Sequence, residues 1–172
     1  YVRGMVEEYV MGLHYTDEAV KNFIEKIDSI NKPITFVFYG DHLPGIYWDT
    51  NNNNILHQTD YFIYSNKYAR RHLGRRIYKQ YDLVAPTDFM SLVQKQTLTK
   101  TTPYSALLEK VLDELPVITT KAAAGSKEES DAAMINDNGE LIKYGDLSSS
   151  QKELYNDYKL VQYDMTAGNN YL

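Results

Sequence analysis

The 172 residues are 43% hydrophobic, enough for one globular domain with a real core. A net charge of −5 argues against nucleic-acid binding by bulk charge. There is no cysteine, which excludes disulfides and thiolate metal sites, and no apolar run approaches the roughly 18–20 residues of a membrane span.

No signal peptide is visible, and the chain opens at Tyr1 inside a helix-like pattern, as a fragment or a processed product would. Sixteen tyrosines against one tryptophan suit either carbohydrate or polymer contact or a plain core-and-rim role. Residues 2–30 read as helical. Val20, Phe23, Ile24 and Ile27 follow the spacing of one apolar face. Thr16 suits an N-cap, with Asp17 and Glu18 in the first turn. Val2, Met5, Val6, Tyr9, Val10 and Leu13 form a similar stripe upstream, on one long helix or on two joined near Gly12. His14 reads as an ordinary helix residue.

Pro33-Ile34-Thr35-Phe36-Val37-Phe38-Tyr39-Gly40-Asp41-His42 is the central stretch. Ile34 to Tyr39 is too short for a helix and reads as a strand buried on both faces of a parallel sheet. In such sheets chemistry gathers outside the carboxyl ends of the strands, where Asp41 and His42 fall. A carboxylate beside an imidazole can ligate Mn²⁺, Mg²⁺ or Zn²⁺. Gly40 lets the backbone turn and leaves room for a ligand.

Asn51 to Asn54 read as a loop tip. His57-Gln58-Thr59-Asp60 leads into a second short strand, Tyr61 to Tyr64. If the two strands are neighbours, His57 approaches the end of the first and is a candidate ligand or substrate contact. Lys67, Arg70, Arg71, His72, Arg75, Arg76 and Lys79 form the chain's one basic cluster. It is either a solvated face or an attraction for phosphate-rich surfaces, although the arginines do not share one helical face.

Pro86-Thr87-Asp88 opens a helix, and Thr102-Pro103 opens another whose face runs from Tyr104 to Leu115. Residues 121–133 read as a flexible excursion. Asp137-Asn138-Gly139 reads as a hairpin turn, and Ser148 with Gln151 as a capping box opening a last helix along Leu154, Tyr158 and Val161. Gly168-Asn169-Asn170 ends the ordered part. The expected division of the single domain is 1–120 with sheet, helices and the Asp-His element, the excursion at 121–133, and hairpin plus terminal helix over 134–172.

Several stretches together resemble the carboxyl-terminal part of the lipoteichoic acid synthase and phosphoglycerol transferase family, in the sulfatase and alkaline-phosphatase superfamily. They are His14 to Ala19 with Phe23-Ile24, Phe38-Tyr39-Gly40-Asp41-His42-Leu43-Pro44-Gly45, His57 to Asn66, and Asp157-Tyr158 to Tyr163-Asp164. The match is looser over 67–150. The resemblance implies an α/β fold: a partial sulfatase-like sheet with flanking helices, the carboxyl-terminal portion only. It implies that Asp41 and His42 bind a divalent ion, commonly Mn²⁺ or Mg²⁺, and that His57 corresponds to a further histidine some relatives place near the metal or substrate phosphate.

The family's glutamate ligand and nucleophilic threonine match no position here, so the chain alone is expected to be inactive and to need the missing amino-terminal half of its domain as partner. The implied parent is a metal-dependent phosphoglycerol transferase at the extracellular face of the membrane, anchored by spans outside this chain. It acts on anionic glycerol-phosphate lipid or polymer in lipoteichoic acid or related synthesis. A sulfatase or phosphodiesterase needs the same Asp-His pair and stays open, as does a non-catalytic module that binds surface polymer. A sheet lacking strands also predicts association with the missing segment or with itself.

Overall fold

The structure is a computed structural model that describes residues 2–46, 56–73, 81–125, 132–169 and 171. The asparagine run, Arg75, Arg76 and Lys79 of the basic cluster, residues 126–131 and Asn170 lie outside the described residues. The described chain packs as two units, the first reaching Leu73 and the second starting at Tyr81.

The first unit opens with one helix, α1 (Val2–Asp28). Its second half follows the expected stripe. Ile27 is buried, Val20 and Ile24 are half-buried, and the Phe23 ring meets Phe36 edge-on at 5.0 Å. Thr16 does not cap a second helix. Its hydroxyl donates to the Gly12 carbonyl at 3.0 Å inside the helix, a back-bond that lets a threonine sit mid-helix. The upstream stripe is largely exposed, Val10 at 56% and Leu13 at 50%.

Strand β1 (Thr35–Tyr39) pairs with β2 (Tyr61–Ser65) in antiparallel register, Thr35 opposite Ser65 and Tyr39 opposite Tyr61. The parallel, doubly covered strand expected from the apolar run is therefore not what these residues form. Antiparallel neighbours need no helical crossover, and Phe38 and Tyr39 remain part-exposed. An apolar strand carries no record of its partner's direction. Aromatic contacts dress the ribbon: Phe38 stacks on Phe62 at 5.3 Å, and Phe36 meets Phe62 edge-on at 5.7 Å.

Asn66 joins the pieces of this unit. It is fully buried and stands between β2 and helix α2 (Lys67–Leu73). Its Nδ2 donates to the carbonyls of Ile27 (2.9 Å), Lys32 (2.9 Å) and Ile30 (3.3 Å). Its Oδ1 accepts from the amides of Ala69 (2.9 Å) and Ile34 (3.2 Å). One side chain thus satisfies the end of α1, the linker to β1 and the start of α2.

Asp28 adds a second tie. It accepts from the Lys67 amide (2.8 Å) and the Tyr64 hydroxyl (3.0 Å), with the Lys67 ammonium at 3.5 Å. Burial works to raise its pKa, but the two hydrogen bonds and the charges of Lys67 and Arg70 outweigh it and hold the carboxyl below its usual range. A folded-state pKa below the unfolded one gives stability that is present above the unfolded value, ~3.9, and is lost as pH falls through the folded one. Thermal unfolding from pH 7 down to pH 2 should therefore show acid destabilisation that Asp28→Asn flattens. Parallel curves for the two proteins would contradict this.

The second unit follows its caps. A 3-10 turn (Pro86–Asp88) leads into α3 (Phe89–Thr97). Thr102 caps α4 (Pro103–Glu114), its hydroxyl accepting from the Ser105 amide at 3.1 Å with Pro103 in the first turn. Strands β3 (Val117–Thr120), β4 (Ala132–Ile135) and β5 (Leu141–Ile142) form an antiparallel sheet in that order. No element is expected from the sequence where β3 lies, and the single-turn helix α5 (Lys121–Ala124) stands at the start of the expected excursion. The turn between β4 and β5 is the expected one, with Asn136 Oδ1 accepting from Asn138 and Glu140 and Gly139 at φ 76°. Ser148 and Gln151 cap α6 (Ser149–Thr166) reciprocally, at 3.2 and 3.0 Å. Val111 and Leu115 of α4 and its end pack on Leu154 of α6, flanked by Ile118 and Tyr158.

Candidate functional site

The antiparallel register decides what meets what. β1 ends and β2 begins at the pair Tyr39 and Tyr61. The segments beyond them, Gly40 to Ile46 and Leu56 to Asp60, therefore leave the ribbon at the same end. The contact between Gly40 and Thr59 shows that they are still together one step further on. Asp41, His42 and the His57 loop thus share one end of one ribbon, as adjacency of the two strands required. The space over Gly40, expected to be open for a ligand, is taken by Thr59.

Asp41 and His42 are exposed, with side chains 80% and 79% accessible. His42 Nδ1 lies 2.9 Å from the Leu43 carbonyl. A carbonyl only accepts, so Nδ1 carries the proton and the neutral ring keeps its lone pair on Nε2. That atom stands 3.6 Å from Asp41 Oδ1, too far for a hydrogen bond between them. Two donors on one ion at ~2.1 Å stand roughly 3.0–3.4 Å apart, so a slight adjustment lets this pair share a cation. The backbone contact at Nδ1 is the orienting partner that metal-bound histidines normally have. The residues fit a divalent ion as two of the four to six ligands it takes. Among the described residues no group of three or more His, Asp or Glu is placed to hold an ion. His57 is exposed in the Leu56 to Asp60 segment.

The described part of the basic cluster is partly absorbed by the fold. Arg70 lies over the Tyr64 ring at 4.9 Å and donates to the Ser65 carbonyl, while Lys67 pairs with Asp28. His72 stacks on Tyr68 at 4.0 Å. His14 is exposed and lies 3.8 Å from Glu18, an ordinary helix pair.

The second unit holds a cleft of about 440 Å³ that the sequence did not announce. Tyr81, Asp82, Asp88, Asp113 and Asp146 stand in its wall, and no lysine or arginine among the described residues lines it. Tyr81 donates to Asp113, and burial together with that carboxylate pushes the phenol up. Burial likewise raises Asp88. A wall of this charge repels phosphates and sulfates.

The Sulfatase family model matches residues 3–93, more than half of the chain. This chain belongs to the sulfatase family. Among solved structures it is similar to the Streptococcus pyogenes phosphoglycerol transferase GacH, determined in complex with sn-glycerol-1-phosphate, at 34% identity and a TM-score of 0.59. The likeness covers 91% of this chain and 34% of that one, so this chain spans about a third of the relative's length. No curated protein matches. The sulfatase-like α/β fold expected of the sequence is thus the fold it has. No helix among the described residues is long and apolar enough to cross a membrane.

Proposed function

We propose that this sulfatase-family chain is part of a metal-dependent phosphoglycerol transferase. The observation that carries this is the Asp41-His42 pair at the end of β1, in a chain 34% identical to a phosphoglycerol transferase over 91% of its length. Asp41 supplies an anionic oxygen and His42 its Nε2 lone pair, the tautomer held by the Leu43 carbonyl. A bound Mn²⁺, Mg²⁺ or Zn²⁺ supplies Lewis-acid polarisation of a phosphoryl oxygen and lowers the pKa of a hydroxyl nucleophile. His57, at the same end of the ribbon, contacts the substrate phosphate. The nucleophile is a threonine outside this chain. The phosphoglycerol of an anionic lipid passes to it, diacylglycerol leaves, and a growing surface polymer such as lipoteichoic acid accepts the group.

The partner of this chain is the remainder of its domain, and the parent works at the extracellular face of the membrane. The exposed stripe of Val6, Val10 and Leu13 supports a need for cover. Sedimentation of the isolated chain should show self-association. A strictly monomeric species at high concentration would count against it.

The deciding assay incubates the full-length protein with Mn²⁺ and a glycerol-phosphate lipid bearing a labelled headgroup. The transferase yields diacylglycerol and labelled polymer. Labelled free glycerol phosphate with no polymer would make the protein a hydrolase of the same family. Polymer binding without turnover, indifferent to Asp41→Ala and His42→Ala and lost when the arginines are neutralised, would make it a binding module.

A further inference from the structure

We infer that Thr59 is a positioning residue for the Asp41-His42 pair, a role that rests on the metal reading above. A Cβ built on Gly40 would lie 2.8 Å from Thr59 Oγ1, 3.0 Å from its Cγ2 and 3.2 Å from its Cβ. Real Cβ atoms essentially never come within 3.0 Å of another heavy atom. Thr59 can occupy this place only because residue 40 has no side chain.

The contact sits one residue before Asp41 and two before His42. By then the pairs of the ribbon have ended at Tyr39 and Tyr61, so the ladder no longer dictates the path of the backbone. The Thr59 side chain takes over, fixing the turn by shape. The two donors leave from a backbone that has a wall on one side.

The same contact ties the His57 segment to the pair. Thr59 is two residues from His57, so the segment that holds the turn also carries the third candidate residue. A threonine suits the task because its β-branch locks χ1 and presents a rigid, three-atom surface. The demand is one of volume rather than of the hydroxyl. Valine has the same shape and should serve.

The test measures Mn²⁺ affinity of the full-length protein by calorimetry and by the electron paramagnetic resonance of the free ion, below the unfolding temperature of every variant. Gly40→Ala should weaken Mn²⁺ binding roughly 10- to 100-fold, the range seen when groups that orient metal ligands are disturbed. Thr59→Gly, which removes all three contacting atoms, should weaken it about 10-fold. Thr59→Val should bind as the parent does. In the Thr59→Gly background, Gly40→Ala should cost less than it does alone, because the obstruction has gone.

Equal costs in the two backgrounds, unchanged affinity in Thr59→Gly, or a loss in Thr59→Val equal to that in Thr59→Gly would overturn the inference. Asp41→Ala separates the two levels of the reading. If it leaves Mn²⁺ affinity intact, the metal assignment itself is wrong. If it abolishes binding while the Thr59 and Gly40 variants bind normally, only the positioning role is wrong.

Discussion

Replacing Asn66 by alanine should destabilise the first unit by about 3 kcal/mol or more, the largest stability effect expected of one substitution in this chain. The side chain is fully buried and meets three carbonyls and two amides drawn from α1, the linker before β1 and the start of α2. An amide nitrogen has two protons, so the third acceptor, the Ile30 carbonyl at 3.3 Å, shares one of them. Alanine takes a partner from each of five backbone groups at a buried or part-buried place, and each group left unsatisfied costs ~1–3 kcal/mol. Partial relaxation keeps the total below the sum. Asn66→Asp is the sharper variant. It keeps the shape, but its carboxylate only accepts and faces the carbonyls that the amide had satisfied. It should be at least as damaging. Urea unfolding measures the cost, and hydrogen exchange at the Ile34 and Ala69 amides locates it. A loss under 1 kcal/mol in both variants would show that Asn66 does not hold the unit together.

The second large effect concerns activity and leaves the fold alone. In the full-length protein, Asp41→Ala and His42→Ala should each lower Mn²⁺ affinity and phosphoglycerol transfer by about 100-fold or more. Removing a ligand should cost at least as much as disturbing a group that merely orients one. Stability should change by no more than ~0.5 kcal/mol, because both side chains are four-fifths exposed and touch little. Asp41→Asn tests the charge, since it keeps the shape while surrendering the anionic oxygen that a hard cation prefers. High Mn²⁺ should partly restore transfer in variants that still bind weakly. Full activity in both alanine variants would remove the pair from the mechanism and with it the proposed function.

What the sequence disclosed follows from how local each signal is. Thr102 with Pro103, Ser148 with Gln151, and Asp137-Asn138-Gly139 announced two helix starts and a hairpin because a cap or turn is settled within four residues. The Asp41-His42 pair was legible because a strand, a glycine and two polar residues in succession describe a strand end. The pairing direction of β1 was not legible, since Ile34 to Tyr39 reads the same beside a parallel or an antiparallel neighbour. Asn66 passed unnoticed because four of its five partners lie 32 to 39 residues upstream. β3 was missed because four residues between a helix and a small-residue run offer too short a pattern. Thr59 gave no signal at all, for its part depends on what its neighbour lacks.

The two donors of the candidate metal site are neighbours in the chain, joined by a single peptide bond. They stay within a few ångströms of each other when the protein unfolds. A cation they hold in the native state can therefore hold on, more weakly, to the denatured one. Ligand-induced stabilisation depends on the difference between those two affinities, so these two residues by themselves give the ion little leverage over folding. Any marked rise in unfolding temperature on adding Mn²⁺ must come from ligands that only the folded chain brings to the pair.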